Sequence, residues 1–576
     1  MREPTRSEER VDVAIVGGGP AGSTAGALLR KYNPELRVRV VERERFPRDH
    51  VGESQLSTIG AILDEMGCWD KIEAADFPIK IGATYRWGRD DQLWDFDFVP
   101  NFQEQARPAK FAGQRTQTAF QVERARYDEI LLDHAEALGC EVRQGVAVTG
   151  VDAAGDAIEA LHLSDRTVLR ARYYIDASGH VGVLRRALGI AVDVPTRLKN
   201  IAIWDYWENA SWAVELGVGG TRVQVMSLKH GWIWFIPLGP TRTSIGLICP
   251  AEYYRARGIP AAELYRESLA SDARIGALIK GATARGAVET TTDWSFLSAR
   301  AVGENWFLVG ESIGFADPIL AAGMALAHSS AREAAYTILA LEAGAHEETW
   351  LKRHYDRNQR ARIEQHIRFA DFWYAANAQF SDLQEHCQSI ARDAGLTLTA
   401  EQAWDWLARG GFTSEAIGFI GLGGLDLQAV KQVTQRFTAE PAEWRLSEFN
   451  VFQLELAGAE RVKVPVFRQG TIVAVDSFRR GDRTLVLSGM IGLVVQHLGR
   501  FRDLVPLIQA LSSVLARRFG AREVPRIIAQ AYTALEVLIE EGWVKAARDE
   551  SKHRLRLETP EDGPLIHNNR DPAPEA

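Results

Sequence analysis

The stretch Gly17-Gly18-Gly19-Pro20-Ala21-Gly22 is the part of this 576-residue chain whose spacing most directly implies chemistry. It matches GxGxxG and lies between an apolar run, VDVAIV, and an Ala-rich helical pattern, STAGALLRKY. Glycines at these places allow a tight turn and let a pyrophosphate approach the amides and positive dipole of a helix N-terminus. Glu42 closes the next strand-like run, VRVVE. A carboxylate there accepts hydrogen bonds from ribose hydroxyls and favours an unphosphorylated ribose. A lone GxGxxG can be no more than a tight turn, but the strand-turn-helix setting and Glu42 make Gly17, Gly19, Gly22 and Glu42 candidate dinucleotide contacts.

The elements that must position these residues form a βαβ unit over residues 11–44. Beyond it, helical patterns such as RYDEILLDHAEALG alternate with strand-like runs such as RVQVMSL and WIWFIPL. That order predicts an α/β nucleotide-binding fold, Rossmann-like, with an inserted antiparallel sheet over residues 10–345. Residues 346–425 read as an aromatic-rich helical segment, and the Gly-rich stretch GFIGLGGLD marks its end. A C-terminal α+β domain is expected over 426–546, with strand-like runs followed by helical ones. Residues 547–576, polar and Pro-rich, read as a disordered tail.

Bulk composition narrows the function classes. With 46% hydrophobic and 25% charged residues the chain reads as globular and multidomain. It has no apolar run long enough to span a bilayer. Its charged N-terminus runs straight into a strand, unlike a signal peptide, so the expected location is cytoplasmic, with no membrane partner. Cys68, Cys140, Cys249 and Cys387 are scattered and form no CxxC pair, so neither a disulfide framework nor a metal site is expected. A net charge of −9 without long single-sign blocks proposes no nucleic-acid partner.

Further motifs resemble those of a known family. Arg124 in VERARYDEILLDHA, Asp176 in YIDASGH, and Gly310, Glu311, Asp317 and Pro318 in WFLVGESIGFADPILAAG resemble the FAD-contacting motifs of the glucosamine-type flavin monooxygenase superfamily. Trp232-Ile233-Trp234-Phe235-Ile236-Pro237 matches the WxWxIP signature of flavin-dependent halogenases. Lys80 in FPIKIGATYRWG, preceded by Val51-Gly52-Glu53-Ser54, resembles that family's active-site lysine. The resemblance covers roughly residues 10–400, with its motifs in family order.

What the resemblance implies is specific. FAD, reduced by a separate flavin reductase, would react with O2 and oxidise chloride or bromide to hypohalous acid. Trp232 and Trp234 would form a bulky wall that keeps organic substrate from the flavin, in a water-poor channel. Lys80 would receive the oxidised halogen, either by hydrogen-bonding hypohalous acid or by forming a haloamine. The haloamine route needs a neutral amine and hence a pKa lowered by burial. Family halide sites map onto the backbone amides of Ala322 and Gly323, an anion site without a cationic side chain. Asp293 stands where a covalent tether to the flavin is conceivable.

Three positions depart from the family pattern. Glu311 replaces the usual Asp, Ala321-Ala322 replaces frequent hydroxyl residues, and Leu320 stands where tryptophan-type halogenases carry a Glu, which turns the expected substrate away from free tryptophan. The C-terminal region resembles the winged-helix-like domain of the chloramphenicol-biosynthesis type of halogenase. Its arginines are interleaved with acids, so DNA binding is not expected. Relatives of that layout suggest a natural-product intermediate, presented by an acyl- or peptidyl-carrier protein. The rival readings are an FAD monooxygenase or polyprenyl-type reductase of the same superfamily, and a non-catalytic flavoprotein.

Overall fold

The computed structural model describes residues 7–98, 119–213, 220–292, 295–393, 427–438, 441–481, 483–522, 524–563 and 565–570. Contacts divide the chain into two units. The first comprises Met1–Gly395 with Gln469–Thr471 and His567–Ala576; the second comprises Leu396–Arg468 and Ile472–Ile566.

In the first unit the run VDVAIV becomes the strand Glu8–Val16, whose apolar residues are buried on both faces. It lies between parallel neighbours Val38–Glu42 and Val168–Asp176, which in turn pair in parallel with Glu141–Gln144 and Trp306–Leu308. Ala157–Leu163 and Val148–Ala154 continue this sheet antiparallel. The helix Pro20–Tyr32 starts with Pro at its first turn and ends with Arg30 and Lys31, a placement that suits both the fixed φ of proline and the helix dipole. Gly17 (φ +106°), Asp176 and the segment Gly310–Ser312 all stand at the carboxyl ends of the parallel strands, where open α/β sheets bind ligands.

A second, ten-stranded sheet is built around Asn200–Glu208, Arg242–Pro250, Gly231–Pro237, Gly220–Leu228, Ile79–Arg86 and Leu93–Asp97, in that spatial order. The strand Gly231–Pro237 shows why its sequence alternates as it does. Ile233 and Phe235 point into an apolar cluster with Ile203, Met226, Leu247 and Leu264, while Trp232 and Trp234 face the other way. Gly246 makes room for Trp234, since a Cβ there would stand 2.1 Å from the indole.

Two boundaries differ from the sequence expectation. The segment beginning at 346 is not a unit of its own: the helices Glu348–Ala375 and Gln384–Asp393 belong to the first unit. The reason is packing, because Trp373 lies against Tyr85, Trp87 and Trp94 and Tyr374 against Trp87. Residues 547–576 are not wholly a tail either, since Ile566–Asn568 forms the strand next to Leu93–Asp97. Leu565 and Ile566 are buried in this otherwise polar stretch, which is too short to show a period. Residues 394–426, including Trp404 and Trp406, lie outside the described residues.

In the second unit the helices Gly489–Leu498, Leu504–Phe519 and Val524–Glu540 pack against one another. They share an apolar core of Val494, Leu507, Leu511, Leu535 and Leu538 with Trp543. The strands Val451–Leu454 and Val544–Ala547 pair antiparallel beside them. Among the described residues no helix is long and apolar enough to cross a membrane.

Candidate active site

The glycine cradle is built by steric necessity. A Cβ on Gly17 would stand 2.4 Å from the Ala177 carbonyl oxygen, and one on Gly22 would stand 1.9 Å from that of Gly17. The helix beginning at Pro20 has no side-chain cap, so its first amides remain available to an anion. Glu42 is buried and holds the turn from the other side, accepting from the Gly18 amide at 2.7 Å and the Glu44 amide at 2.9 Å. Each oxygen keeps a further lone pair for ribose hydroxyls. Arg48, not singled out in the sequence, brings Nη2 to 3.4 Å from the place of a Gly19 Cβ, and its Nη1 is buried without a hydrogen-bond partner. An orphaned guanidinium nitrogen beside an uncapped helix start fits the pyrophosphate of FAD.

Two expected cofactor contacts brace neighbouring segments of the chain. Asp176, fully buried, accepts from the amides of Ser178, Leu184 and Arg185 and from the Ser178 hydroxyl. Those four donors commit the carboxylate to the loop after its strand. Arg124 donates from Nε and Nη2 to both oxygens of Asp128 at 2.8 and 2.9 Å, and from Nη1 to the Val51 and Gly52 carbonyls. It therefore fixes the VGES segment; burial pushes the Asp128 pKa up, but the charge and hydrogen bonds of Arg124 outweigh it and leave the pKa lowered. Both residues act on the site through what they hold. Asp293 lies outside the described residues.

Glu311 reaches towards two turns, its carboxylate oxygens each 3.8 Å from the places a Cβ would take on Gly179 and Gly323. Gly310 has φ +60°, and its amide donates to Ser330 Oγ at 2.7 Å. Next along the chain, Asp317 caps a short turn by accepting from the Ile319 amide at 2.9 Å. Ala321 then takes φ +53° and Ala322 precedes the helix Gly323–Glu342, which also lacks a side-chain cap. The Ala322 and Gly323 amides thus lie at the start of a 20-residue helix, a place suited to a halide ion. Leu320 is buried in the same turn.

Lys80 lies on the strand Ile79–Arg86 and is 5% exposed. Its ammonium donates to the Gln55 carbonyl at 2.9 Å and stands 5.1 Å from the centre of the Phe98 ring. Among the described residues no carboxylate pairs with it. Burial therefore acts unopposed and lowers its pKa to about 7. Gly82 allows the neighbouring strand to approach, because a Cβ there would meet the Phe96 carbonyl oxygen at 1.7 Å. Nearby in sequence to Gln55, Glu53 is also buried; desolvation raises its pKa, against a 2.9 Å hydrogen bond from Tyr206.

Trp232 and Trp234 stand with ring centres 6.2 Å apart. Trp234 Nε1 donates to Ser244 Oγ at 3.1 Å, and Trp232 Nε1 to the Tyr374 hydroxyl at 2.7 Å. Tyr374 also contacts Asp317 at 3.2 Å. Neither Tyr374 nor Asn200, which donates to Asp317 at 3.2 Å, was marked by the sequence. A tyrosine in FWYA reads as one more packed aromatic.

With this geometry in view, the family comparison is decisive. A family model described as tryptophan halogenase matches residues 12–114 and 100–392. The chain belongs to that family of flavin-dependent halogenases. A tryptophan 2-halogenase of Chondromyces crocatus is 33% identical over 340 residues, which is 58% of this chain and 62% of that relative. The chain thus spans less than two thirds of that protein's length. A 1H-pyrrole-2-carbonyl-[peptidyl-carrier protein] chlorinase of Pseudomonas fluorescens is 30% identical over 392 residues, 65% of this chain and 86% of the relative. The crystal structure of CmlS, a flavin-dependent halogenase, shares the fold with a TM-score of 0.70 at 23% identity, covering 96% of this chain and 98% of that one.

Proposed function

We propose that this halogenase uses FADH2, O2 and chloride or bromide to form hypohalous acid, and that Lys80 transfers the halogen to a separately bound, non-tryptophan substrate. The observation that carries the reading is Lys80 itself, a buried lysine with a carbonyl acceptor, an aromatic neighbour and a pKa of about 7. Bound FAD, reduced by a partner flavin reductase, supplies the two electrons that O2 needs to oxidise halide. Gly17, Gly19 and Gly22, with Glu42, Glu311 and Arg48, would hold the cofactor, and the Ala322 and Gly323 amides would hold the halide. Trp232 and Trp234 supply the apolar wall that keeps organic substrate away.

At Lys80 the burial-lowered pKa populates the neutral amine near pH 7. The amine can attack hypohalous acid at the halogen, forming an N–halogen bond and releasing water. In the protonated form it can instead donate to the acid's oxygen and polarise the O–halogen bond. Either way the halogen leaves Lys80 as an electrophile for an electron-rich carbon. The relative that chlorinates a pyrrole-2-carbonyl group on a peptidyl-carrier protein supports a carrier-bound natural-product intermediate here. Leu320 supports a non-tryptophan acceptor, whereas the tryptophan 2-halogenase relative favours an indole as the second reading.

The test supplies reduced FAD, O2 and bromide or chloride with tryptophan, a phenol and a pyrrolyl group loaded on carrier protein. Wild type is expected to halogenate a non-tryptophan acceptor, and Lys80→Ala to bind flavin yet fail in transfer. Equal halogenation by both proteins, with hypohalite trapped, refutes the role of Lys80. Halide-independent oxygen insertion indicates a monooxygenase.

A further inference from the structure

The aromatic helix Glu348–Ala375 places one hydroxyl where the tryptophan strand and the halide turn come together. Tyr374 is 4% exposed. Its oxygen lies 2.7 Å from Trp232 Nε1, 3.3 Å from Asn200 Nδ2, and 3.2 and 3.3 Å from the two oxygens of Asp317. A phenol has one proton and two lone pairs. An indole N–H and an amide NH2 can only donate, so they occupy the lone pairs, and the one proton must point at Asp317. The chain is therefore polarised in a single direction, from the Trp232 N–H through the Tyr374 O–H to the Asp317 carboxylate.

Asp317 uses the same carboxylate to cap the turn that leads through Ala321 to the Ala322 and Gly323 amides. Resting on the halogenase reading above, we infer that Tyr374 is a positioning residue that locks the halide-binding turn to the Trp232 wall. It does so by completing the donor set of Asp317. Its effect falls on halide capture at the flavin and leaves transfer from Lys80 untouched.

Supporting features keep the hydroxyl in place. The Tyr374 ring packs edge-on against Trp87 at 5.8 Å and lies 5.9 Å from Phe380. One turn earlier on the helix, Asp371 is buried and accepts from the Thr196 hydroxyl; burial, together with the charge of Asp317, raises its pKa to about 7. These contacts are made by the ring and the helix, so Tyr374→Phe removes the hydroxyl and preserves the packing.

The experiment uses the full FAD-loaded chain. Bromide and chloride are titrated into wild type and Tyr374→Phe, with halide binding read from the absorbance of bound flavin. Turnover with a phenol acceptor then gives halide KM and product per flavin oxidised. The expected result is a roughly tenfold weaker halide dissociation constant and KM, with roughly tenfold more uncoupled flavin oxidation, the scale of losing a hydrogen bond to a charged group. FAD affinity stays unchanged, and the melting temperature falls by no more than a few degrees, the scale of one unpaired buried N–H. Asp317→Asn is expected to reproduce the halide effect, and the Tyr374→Phe/Asp317→Asn double variant to add little to either, because the residues act as one unit. Unchanged halide binding and coupling in a folded, FAD-loaded Tyr374→Phe overturns the inference, as does full additivity in the double variant. Absence of halide-dependent product from wild type overturns instead the halogenase reading on which it rests.

Discussion

Lys80 and Asp317 are both buried ionisable groups of the same unit, yet their surroundings are built to opposite ends. The lysine has a carbonyl and a ring face beside it, and desolvation moves its pKa to about 7. The aspartate receives the Ile319 amide, the Asn200 amide and the Tyr374 hydroxyl. A group that must change protonation or accept a halogen gains from being left partly unsatisfied. A group that must hold a turn gains from saturation, since each donor narrows its freedom. On the proposed mechanism, reactivity and positioning differ here less in residue type than in how many partners each charge is given.

The comparison can be broken most severely at the lysine. Lys80→Ala is expected to lower halogen transfer by roughly 10²–10⁴-fold, the scale for losing a proton-transferring or nucleophilic group, while flavin absorbance of the purified protein is retained. Asp317→Ala should be milder. It leaves three donors facing no acceptor, and product per flavin oxidised should fall roughly tenfold or more, measured by product analysis against flavin consumed.

Acidity sharpens the contrast further. If the neutral amine carries transfer, the rate should fall about tenfold per pH unit below pH 7 and level off above it; a rate flat from pH 5 to 8 would refute that route. The smallest effect concerns stability. Because the folded-state pKa of Lys80 lies below its unfolded value, the unfolded chain binds more protons between about pH 7 and about pH 10.4. Its contribution therefore destabilises most below pH 7 and fades as pH rises through that window. Lys80→Met should melt about 2–4 °C above wild type at pH 6, with the difference shrinking at pH 9.

The sequence revealed those parts of the site that depend on local rules. Gly17, Gly22 and Glu42 were legible because a close strand-to-helix turn restricts residue type at fixed spacing. Trp232 and Trp234 were recognisable as a motif, while their shared face became visible only with the strand Gly231–Pro237. Lys80 was recognisable through its motif, but its environment was not: Gln55 and Phe98 are brought to it by separate segments. Tyr374 and Arg48 escaped because a hydrogen-bonded tyrosine and an arginine with one buried unpaired nitrogen leave the same trace in sequence as any packed tyrosine and any surface arginine. For Asp176 and Arg124 the motif did not reveal the loops that each side chain also holds. The break at residue 345 failed for a related reason, since aromatic periodicity records a buried face without saying which sheet buries it.

The strand Ile566–Asn568 places a demand on synthesis. His567 Nε2 lies 3.0 Å from Asp97, 470 residues away in sequence, and Asn569 donates to Asp95 at 2.9 Å. At translation rates of about 5–20 residues per second, the strand Leu93–Asp97 waits on the order of half a minute or longer for this neighbour to be made. During that time an open strand edge beside Ile79–Arg86 is available to other chains. The yield of properly assembled protein should therefore respond to growth temperature and to chaperone supply, since a strand made late borders the sheet on which Lys80 stands.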